Sequence, residues 1–181
     1  ASPACAPGAR AQSRPAPASA PRVLEWPSPP DPARIRFVRA IDPISLRGKR
    51  SFLSKAWRVL VGSFDEPTML QPYGIAVGPD RRVYVADTFG HAIHVYDLST
   101  PGYSALRVDG QSLIGVAVAD GHLFVTDSGT GRLLCLDTKG HVIWTRGPKD
   151  GFVRPTGIAA SADRLYVVDT MRHCVHIVST T

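Results

Sequence analysis

The chain has 181 residues and a net charge of +6, with 44% hydrophobic and 20% charged residues. The charge is uneven, because residues 1–58 carry +8 whereas residues 59–181 carry −2. A near-neutral second part lacks the basic surface that nucleic-acid binding requires, so we expect no nucleic-acid partner. The sequence has no run of about 18 apolar residues, so we expect no transmembrane segment.

Residues 1–33 are predicted to form a disordered leader. Nine prolines and eight alanines fall within residues 1–32, and such a stretch has too little large apolar surface to fold. A Pro/Ala-rich tether and the absence of Asn are typical of an exported protein from a GC-rich bacterium, so we expect a periplasmic or cell-surface location. Residues 2–5 resemble a lipoprotein cleavage site, but Ser2 stands where Leu is usual. Lipidation of Cys5 and an unmodified thiol both remain open.

Two short elements are expected within residues 34–69. Residues 34–41 alternate basic and apolar side chains, which predicts a strand with one exposed face. In a full-length protein this strand would be the outer strand that closes the ring with the last blade. Residues 51–61 predict an amphipathic helix with Ser51 as its N-cap. This helix either packs Trp57 against the folded domain, which its short length favours, or lies on an anionic membrane surface as a peripheral tether.

Residues 70–181 contain one pattern three times, at intervals of about forty residues, which marks a repeat architecture. Each copy has a glycine in its first apolar run, and its second run ends in Asp-Thr or Asp-Ser. The copies span residues 70–111, 112–153 and 154–181, the last being incomplete. Their glycines and aspartates are Gly74, Gly115, Gly157, Asp87, Asp127 and Asp169.

Four short apolar runs separated by turn residues fit into one copy of about 41 residues, which is the size of one propeller blade. We therefore predict an all-β protein, a β-propeller of four-stranded antiparallel blades with about 2.7 blades present. The aspartates are expected to accept backbone N–H bonds in the turn after each second strand. The glycines suit a crowded central channel in which backbones approach closely. We interpret all six residues as structural.

The repeated pattern resembles the NHL-repeat family of β-propellers. The resemblance rests on Pro72-Tyr73-Gly74-Ile75-Ala76-Val77, on Val83-Tyr84-Val85-Ala86-Asp87-Thr88, and on a histidine after the Asp-Thr turn, which is His91 or His173; the middle copy has Gly131 there. It implies a six-bladed ring that serves as an interaction platform. Six blades need roughly 246 residues, so we expect a fragment of a longer chain; the other hypothesis is a ring completed by self-association through the open blade edges.

One face of the ring is the candidate binding site. The loop entering strand one and the turn between strands two and three share that face in each blade. It carries aromatic, Met and Arg side chains, which are favoured at protein interfaces, and a protein partner is therefore expected. The other interpretation is that Tyr73 and His91 only pack turn against turn. The candidate binding residues are Tyr73, Phe89, His91, Arg154, Met171, Arg172 and His173.

The enzymatic alternative concerns propellers with a metal in the channel. A lactonase-type site uses Glu, Asn and Asp, but this chain has no Asn, and Glu25 and Glu66 both precede the first copy. An amidating-lyase-type site uses histidines; His91 and His173 occupy the ordinary turn position, and we expect His94 and His176 to pack between blades. We therefore predict no catalytic residue, metal or cofactor, and a non-catalytic scaffold. The alternative is an enzyme whose catalytic residues lie mostly in other blades.

The cysteines give no sign of a site. The chain has three, Cys5, Cys135 and Cys174, without a CxxC motif, so no disulfide framework is implied. Cys135 aligns with Val95 and Ile177 in the third strands, and we expect it to be a buried small apolar residue.

Overall fold

The computed structural model describes residues 24–41 and 68–180, and the chain divides into two units, residues 1–40 and residues 41–181. The first 23 residues of the predicted leader, including Cys5, and the predicted helix over residues 51–61 lie outside the described part. Among the described residues, no helix has the length and apolar character needed to cross a bilayer.

The first unit contains a small antiparallel pair, strand β1 (Glu25–Trp26) and strand β2 (Ile35–Arg36). Trp26 lies opposite Ile35, and the Arg36 guanidinium lies 2.6 Å from the Glu25 carboxylate. The strand expected over residues 34–41 is thus limited to Ile35–Arg36. Its partner comes from the end of the predicted leader, because that segment supplies an aromatic and an acidic side chain at matching positions.

The second unit contains three antiparallel sheets, each following the chain order of its strands. The first blade consists of β3 (Pro72–Val77), β4 (Arg82–Asp87), β5 (Ala92–Asp97) and β6 (Gly102–Arg107). The second consists of β7 (Leu113–Ala119), β8 (His122–Asp127), β9 (Arg132–Leu136) and β10 (Val142–Arg146). A 3₁₀ turn (Pro148–Asp150) leads to the third blade, with β11 (Pro155–Ser161), β12 (Arg164–Asp169) and β13 (Cys174–Ser179). The predicted all-β blade architecture is confirmed.

The three blades share one register. The aspartate that ends each second strand lies opposite the first residue of the first strand, in the pairs Pro72–Asp87, Leu113–Asp127 and Pro155–Asp169. In each blade the pairing shifts within the next three residues, and the repeated glycine lies at that irregularity. A bulge bends the strand locally, and glycine tolerates the bend.

The core lies between neighbouring sheets. Each blade directs four side chains of its second and third strands to the same side, and we call these four the trailing face. The trailing faces are Tyr84, Ala86, Ile93 and Val95 in the first blade, Phe124, Thr126, Leu133 and Cys135 in the second, and Tyr166, Val168, Val175 and Ile177 in the third.

The first two trailing faces are covered by the blade that follows. That of the first blade is buried in one apolar cluster with Val116, Leu123 and Val125 of the second blade. Phe124, Leu133 and Cys135 of the second blade pack with Leu165 and Val167 of the third. The trailing face of the third blade is exposed, at 38% for Tyr166 and 61% for Ile177. These residues repeat the pattern of the buried sets. In the second blade, both faces pack against a neighbouring blade.

Candidate functional site

A buried aspartate organises the loops of each blade. The Asp87 carboxylate accepts hydrogen bonds from the backbone N–H groups of Leu70 and Gln71, in the loop before β3, at 2.6 and 2.9 Å. It also accepts from Phe89 and Gly90, in the turn after β4, at 3.2 and 2.9 Å. One side chain therefore holds two loops together at the same end of the sheet.

The other two blades repeat this arrangement. Asp127 accepts from the N–H groups of Ser112 and Gly129 at 2.9 and 3.1 Å. Asp169 accepts from Val153, in the loop before β11, and from Arg172, in the turn after β12, at 2.7 and 3.2 Å. The interpretation of the three aspartates as turn-forming residues agrees with these bonds, and it places the entering loop and the following turn on a common face in every blade.

The hydrogen bonds keep these buried carboxylates ionised. Burial by itself would raise the pKa of Asp87, but the bonds from Leu70, Gly90, Gln71 and His94 outweigh it and lower the pKa to about 2. For Asp127 and Asp169 burial likewise acts to raise the pKa, and bonds headed by the Thr130 hydroxyl and by the Val153 N–H lower it overall. The loops are thus anchored by charge-assisted bonds.

His94 and His176 contact the aspartate of their own blade. His94 is fully buried, with Nε2 3.1 Å from Asp87 Oδ2 and Nδ1 2.7 Å from the Tyr103 hydroxyl. His176 Nε2 lies 3.5 Å from Asp169 Oδ2. The expectation that these histidines pack between blades did not include this contact, in which a nitrogen at this position reaches the buried carboxylate. The shared spacing of seven residues after each aspartate was a signal available in the sequence.

In the second blade an arginine, in place of a histidine, contacts the buried aspartate. Leu134 replaces the histidine, and Arg132 Nη2 lies 3.4 Å from Asp127 Oδ2, while Arg132 Nε donates to the Thr130 hydroxyl at 2.7 Å. Sequence reasoning missed Arg132, because nothing in its position distinguishes a buried contact from a solvated one.

His91 and His173 occupy a backbone position with positive φ. Their φ angles are 46° and 54°, and the equivalent Gly131 has 67°. This left-handed conformation explains why glycine can stand there in the second blade. The His91 Nδ1 atom also lies 2.8 Å from the Gly110 carbonyl oxygen, which links two loops. A turn-stabilising role for His91 accounts for these contacts.

The glycines lie where the first strands of successive blades meet. A methyl group at Gly115 would lie 2.5 Å from the Thr156 carbonyl oxygen, and one at Gly74 would collide with the Ile114 carbonyl oxygen. The first strands also line a cavity of about 330 Å³, where Tyr73 stands beside Ile114 and Thr156. The predicted close approach of backbones holds for these two glycines.

Tyr73 is the second residue of β3, and the other candidate binding residues lie on the exposed loops of this face. The side chains of Tyr73, Phe89 and Met171 are 70%, 68% and 61% exposed. Arg154, Arg172 and His173 are also exposed, on the loops that Asp169 anchors. We call the seven residues Tyr73, Phe89, His91, Arg154, Met171, Arg172 and His173 the loop face.

Other reactive groups show no metal-binding arrangement. Within residues 24–41 and 68–180, no group of three or more His, Cys, Asp or Glu side chains is placed to hold a metal ion. Cys135 is buried as expected, and burial raises the pKa of its thiol. Cys174 is exposed, with Sγ 3.6 Å from His176 Nε2.

Comparison with solved structures identifies the fold class of the chain. No protein-family model matches the sequence, and a search of curated proteins finds no match. Among solved structures, virginiamycin B lyase from Staphylococcus aureus aligns with a TM-score of 0.55 and 16% identity over 65% of this chain and 41% of that one. A streptogramin B lyase aligns with a TM-score of 0.53 and 17% identity, over 60% and 37%.

A chain in the nidogen–laminin complex aligns with a TM-score of 0.50 and 27% identity, over 59% of this chain and 42% of that one. The match thus spans roughly two fifths of each of the three chains. These neighbours are propellers, and the fold class of this chain is the β-propeller. They include both lyases and a chain solved in a complex, so the fold alone does not select a function.

Proposed function

We propose that this chain is an NHL-type propeller that acts as a non-catalytic scaffold and binds a protein partner through the loop face. The observation that carries the proposal is the combination of strongly exposed Tyr73, Phe89 and Met171 with loops whose backbones are bonded to buried carboxylates. Loops held in place before binding lose little conformational entropy on binding, which favours affinity.

The composition of the loop face supports a protein as the ligand. Tyr, Met and Arg are enriched at protein interfaces, where aromatic and Arg side chains supply most of the binding energy. Arg154 lies in the loop that enters the third blade, and Arg172 lies in the turn after β12. The Asp169 carboxylate accepts a backbone hydrogen bond from each of them. A partner with an acidic rim and apolar pockets fits this arrangement.

The NHL assignment rests on the repeated Asp-Thr turn, which is followed by a His with a left-handed backbone conformation. Export is proposed from the Pro/Ala-rich leader. Fractionation of the source cells tests the location: native protein in the periplasm or at the surface supports export, whereas native protein free in the cytosol contradicts it.

Site-specific photo-crosslinking tests the scaffold. A photoreactive residue replaces Phe89 or Met171 on the loop face, and Asp120, in the exposed hairpin turn between β7 and β8, serves as the control position. We expect one discrete adduct from each loop-face position and none from the control. The double substitution Phe89→Ala with Arg172→Ala should lower the yield at Met171 at least tenfold. Equal yields at all positions, or no adduct, would refute the proposal.

The second candidate function is a propeller enzyme, since two structural neighbours are lyases of virginiamycin B and streptogramin B type. The purified chain is incubated with virginiamycin B, and its metal content is measured. Consumption of the compound together with stoichiometric metal would favour the enzyme, whereas neither result is expected for a scaffold.

A further inference from the structure

The trailing face of the third blade is an apolar sheet surface that repeats two buried interfaces. Its residues Tyr166, Val168, Val175 and Ile177 occupy the register positions that are at most 9% exposed in the first and second blades. An apolar set arranged for burial and left open on a sheet indicates an interaction surface.

Gly157 gives an independent indication. Gly74 and Gly115 occupy the same position in their blades, where the first strand of the following blade leaves no room for a side chain. At Gly157 a methyl group would meet nothing closer than Val168 Cγ2, at 3.7 Å. No contact with another described residue therefore requires a glycine here, whereas the close approach of another blade's first strand would.

The hydroxyl of Thr170 is a third indication of an interface on this side of the third blade. In the first blade, the Thr88 hydroxyl donates to the Leu113 carbonyl of the second blade at 2.8 Å. In the second blade, the Ser128 hydroxyl donates to the Pro155 carbonyl of the third. Thr170 occupies the same position after Asp169, and its exposed hydroxyl makes a longer bond of 3.3 Å to the Arg154 carbonyl within its own blade. A carbonyl at the start of another first strand would suit this hydroxyl.

The first strand of the first blade has the matching features. Within the chain, the incoming blade contacts its predecessor through its first strand, as β7 contacts β3 and β4, and β11 contacts β7 and β8. In β3 the side chains of Ile75 and Val77 are each 66% exposed, although Val116, at the position of Ile75, is buried. Pro72 lies at the register position of Leu113 and Pro155, whose carbonyls accept the inter-blade bonds.

We propose that the trailing face of the third blade binds strand β3 of a second copy of this chain. In this interface, Ile75 and Val77 of one copy pack on Tyr166, Val168, Val175 and Ile177 of the other, and the Thr170 hydroxyl donates to the Pro72 carbonyl. Two such contacts related by a twofold axis would enclose a ring of six blades. Tyr73 of the loop face lies on β3, but the contacts of this interface use other side chains, so its variants test it independently of the proposed function.

The first test is the oligomeric state of the full chain, measured by sedimentation equilibrium. We expect a dimer of the 19.5 kDa chain. Ile177→Glu, at an exposed position, and Gly157→Val should each weaken the dimer at least tenfold. The matched control is Ile143→Glu on β10, where the side chain is 51% exposed and outside the interface; it should leave the dimer unchanged. A wild-type monomer at concentrations up to about 100 μM, or a dimer insensitive to Ile177→Glu, would overturn the proposal.

The second test identifies the two surfaces. Thr170→Cys and Pro72→Cys are made in separate chains that also carry Cys5→Ser and Cys174→Ser, with Cys135 left in place because it is buried. When the two variants are mixed and oxidised, we expect a disulfide-linked dimer, since the hydroxyl-to-carbonyl contact brings these positions together. Each variant oxidised alone should remain unlinked. Equal linking in the single-variant samples would show that the dimer uses another surface.

Discussion

The second and third blades have nearly the same sequence pattern but different surroundings. Both have the glycine bulge, the buried aspartate and the four trailing-face positions. In the second blade the trailing face is buried against the third, whereas in the third blade the same positions are exposed. The difference teaches that the repeat pattern encodes an interface on each side of a blade, and that burial depends on what lies next to it.

The largest expected effect concerns the trailing faces. Phe124→Ala should lower the free energy of unfolding by about 3–5 kcal/mol, because it opens a cavity in a closed core. The equivalent Tyr166→Ala should cost less than about 1 kcal/mol, since Tyr166 is partly solvated. Urea unfolding at a protein concentration where the chain is monomeric measures both. Equal losses would show that the two blades are covered alike.

The repeated glycines of the second and third blades allow a second comparison of their surroundings. Gly115→Ala should destabilise the chain by about 1–3 kcal/mol, because the added methyl group would press on the Thr156 carbonyl. Gly157→Ala should change the stability by no more than about 0.5 kcal/mol in the monomer. The same urea experiment applies, and a large loss for Gly157→Ala would contradict the open position seen here.

Low pH should weaken the anchoring of loops by a buried aspartate, which all three blades share. The folded-state pKa of Asp87 is lowered to about 2 from an ordinary value of 3.8, so its stabilising contribution is fully present above about pH 4. It is lost as the pH falls toward 2, at about 2 kcal/mol for Asp87 alone. Urea midpoints measured between pH 7 and pH 2 follow the loss, and Asp87→Asn should flatten the curve. A midpoint that stays constant down to pH 2 would argue against the buried carboxylate network.

The smallest expected effect concerns the inter-blade hydroxyls. Thr88→Val removes a bond to the next blade and should cost about 0.5–1.5 kcal/mol. Thr170→Val should stay within about 0.5 kcal/mol in the monomer, because its hydroxyl is exposed. Thermal or urea unfolding compares the pair, and the prediction fails if Thr170→Val is the more costly change.

The sequence by itself determined the blade, its strand order and the turn role of the aspartates. These features depend on neighbouring residues, on alternation of apolar side chains and on turn chemistry. The same local pattern occurs in all three copies of the repeat. It also predicted that the loop entering strand one and the turn between strands two and three share one face, and binding of a partner at that face stays a prediction.

Only the tertiary structure decided which repeated positions are buried and which partners the aspartates take. His94, Arg132 and His176 reach a carboxylate because neighbouring strands place them beside it. The shared spacing of seven residues marks the two histidines as equivalent positions, but it does not give their distance to the carboxylate. The exposure of the third trailing face likewise follows from the packing of whole sheets. Burial is a property of the assembled blades, and a local pattern cannot specify it.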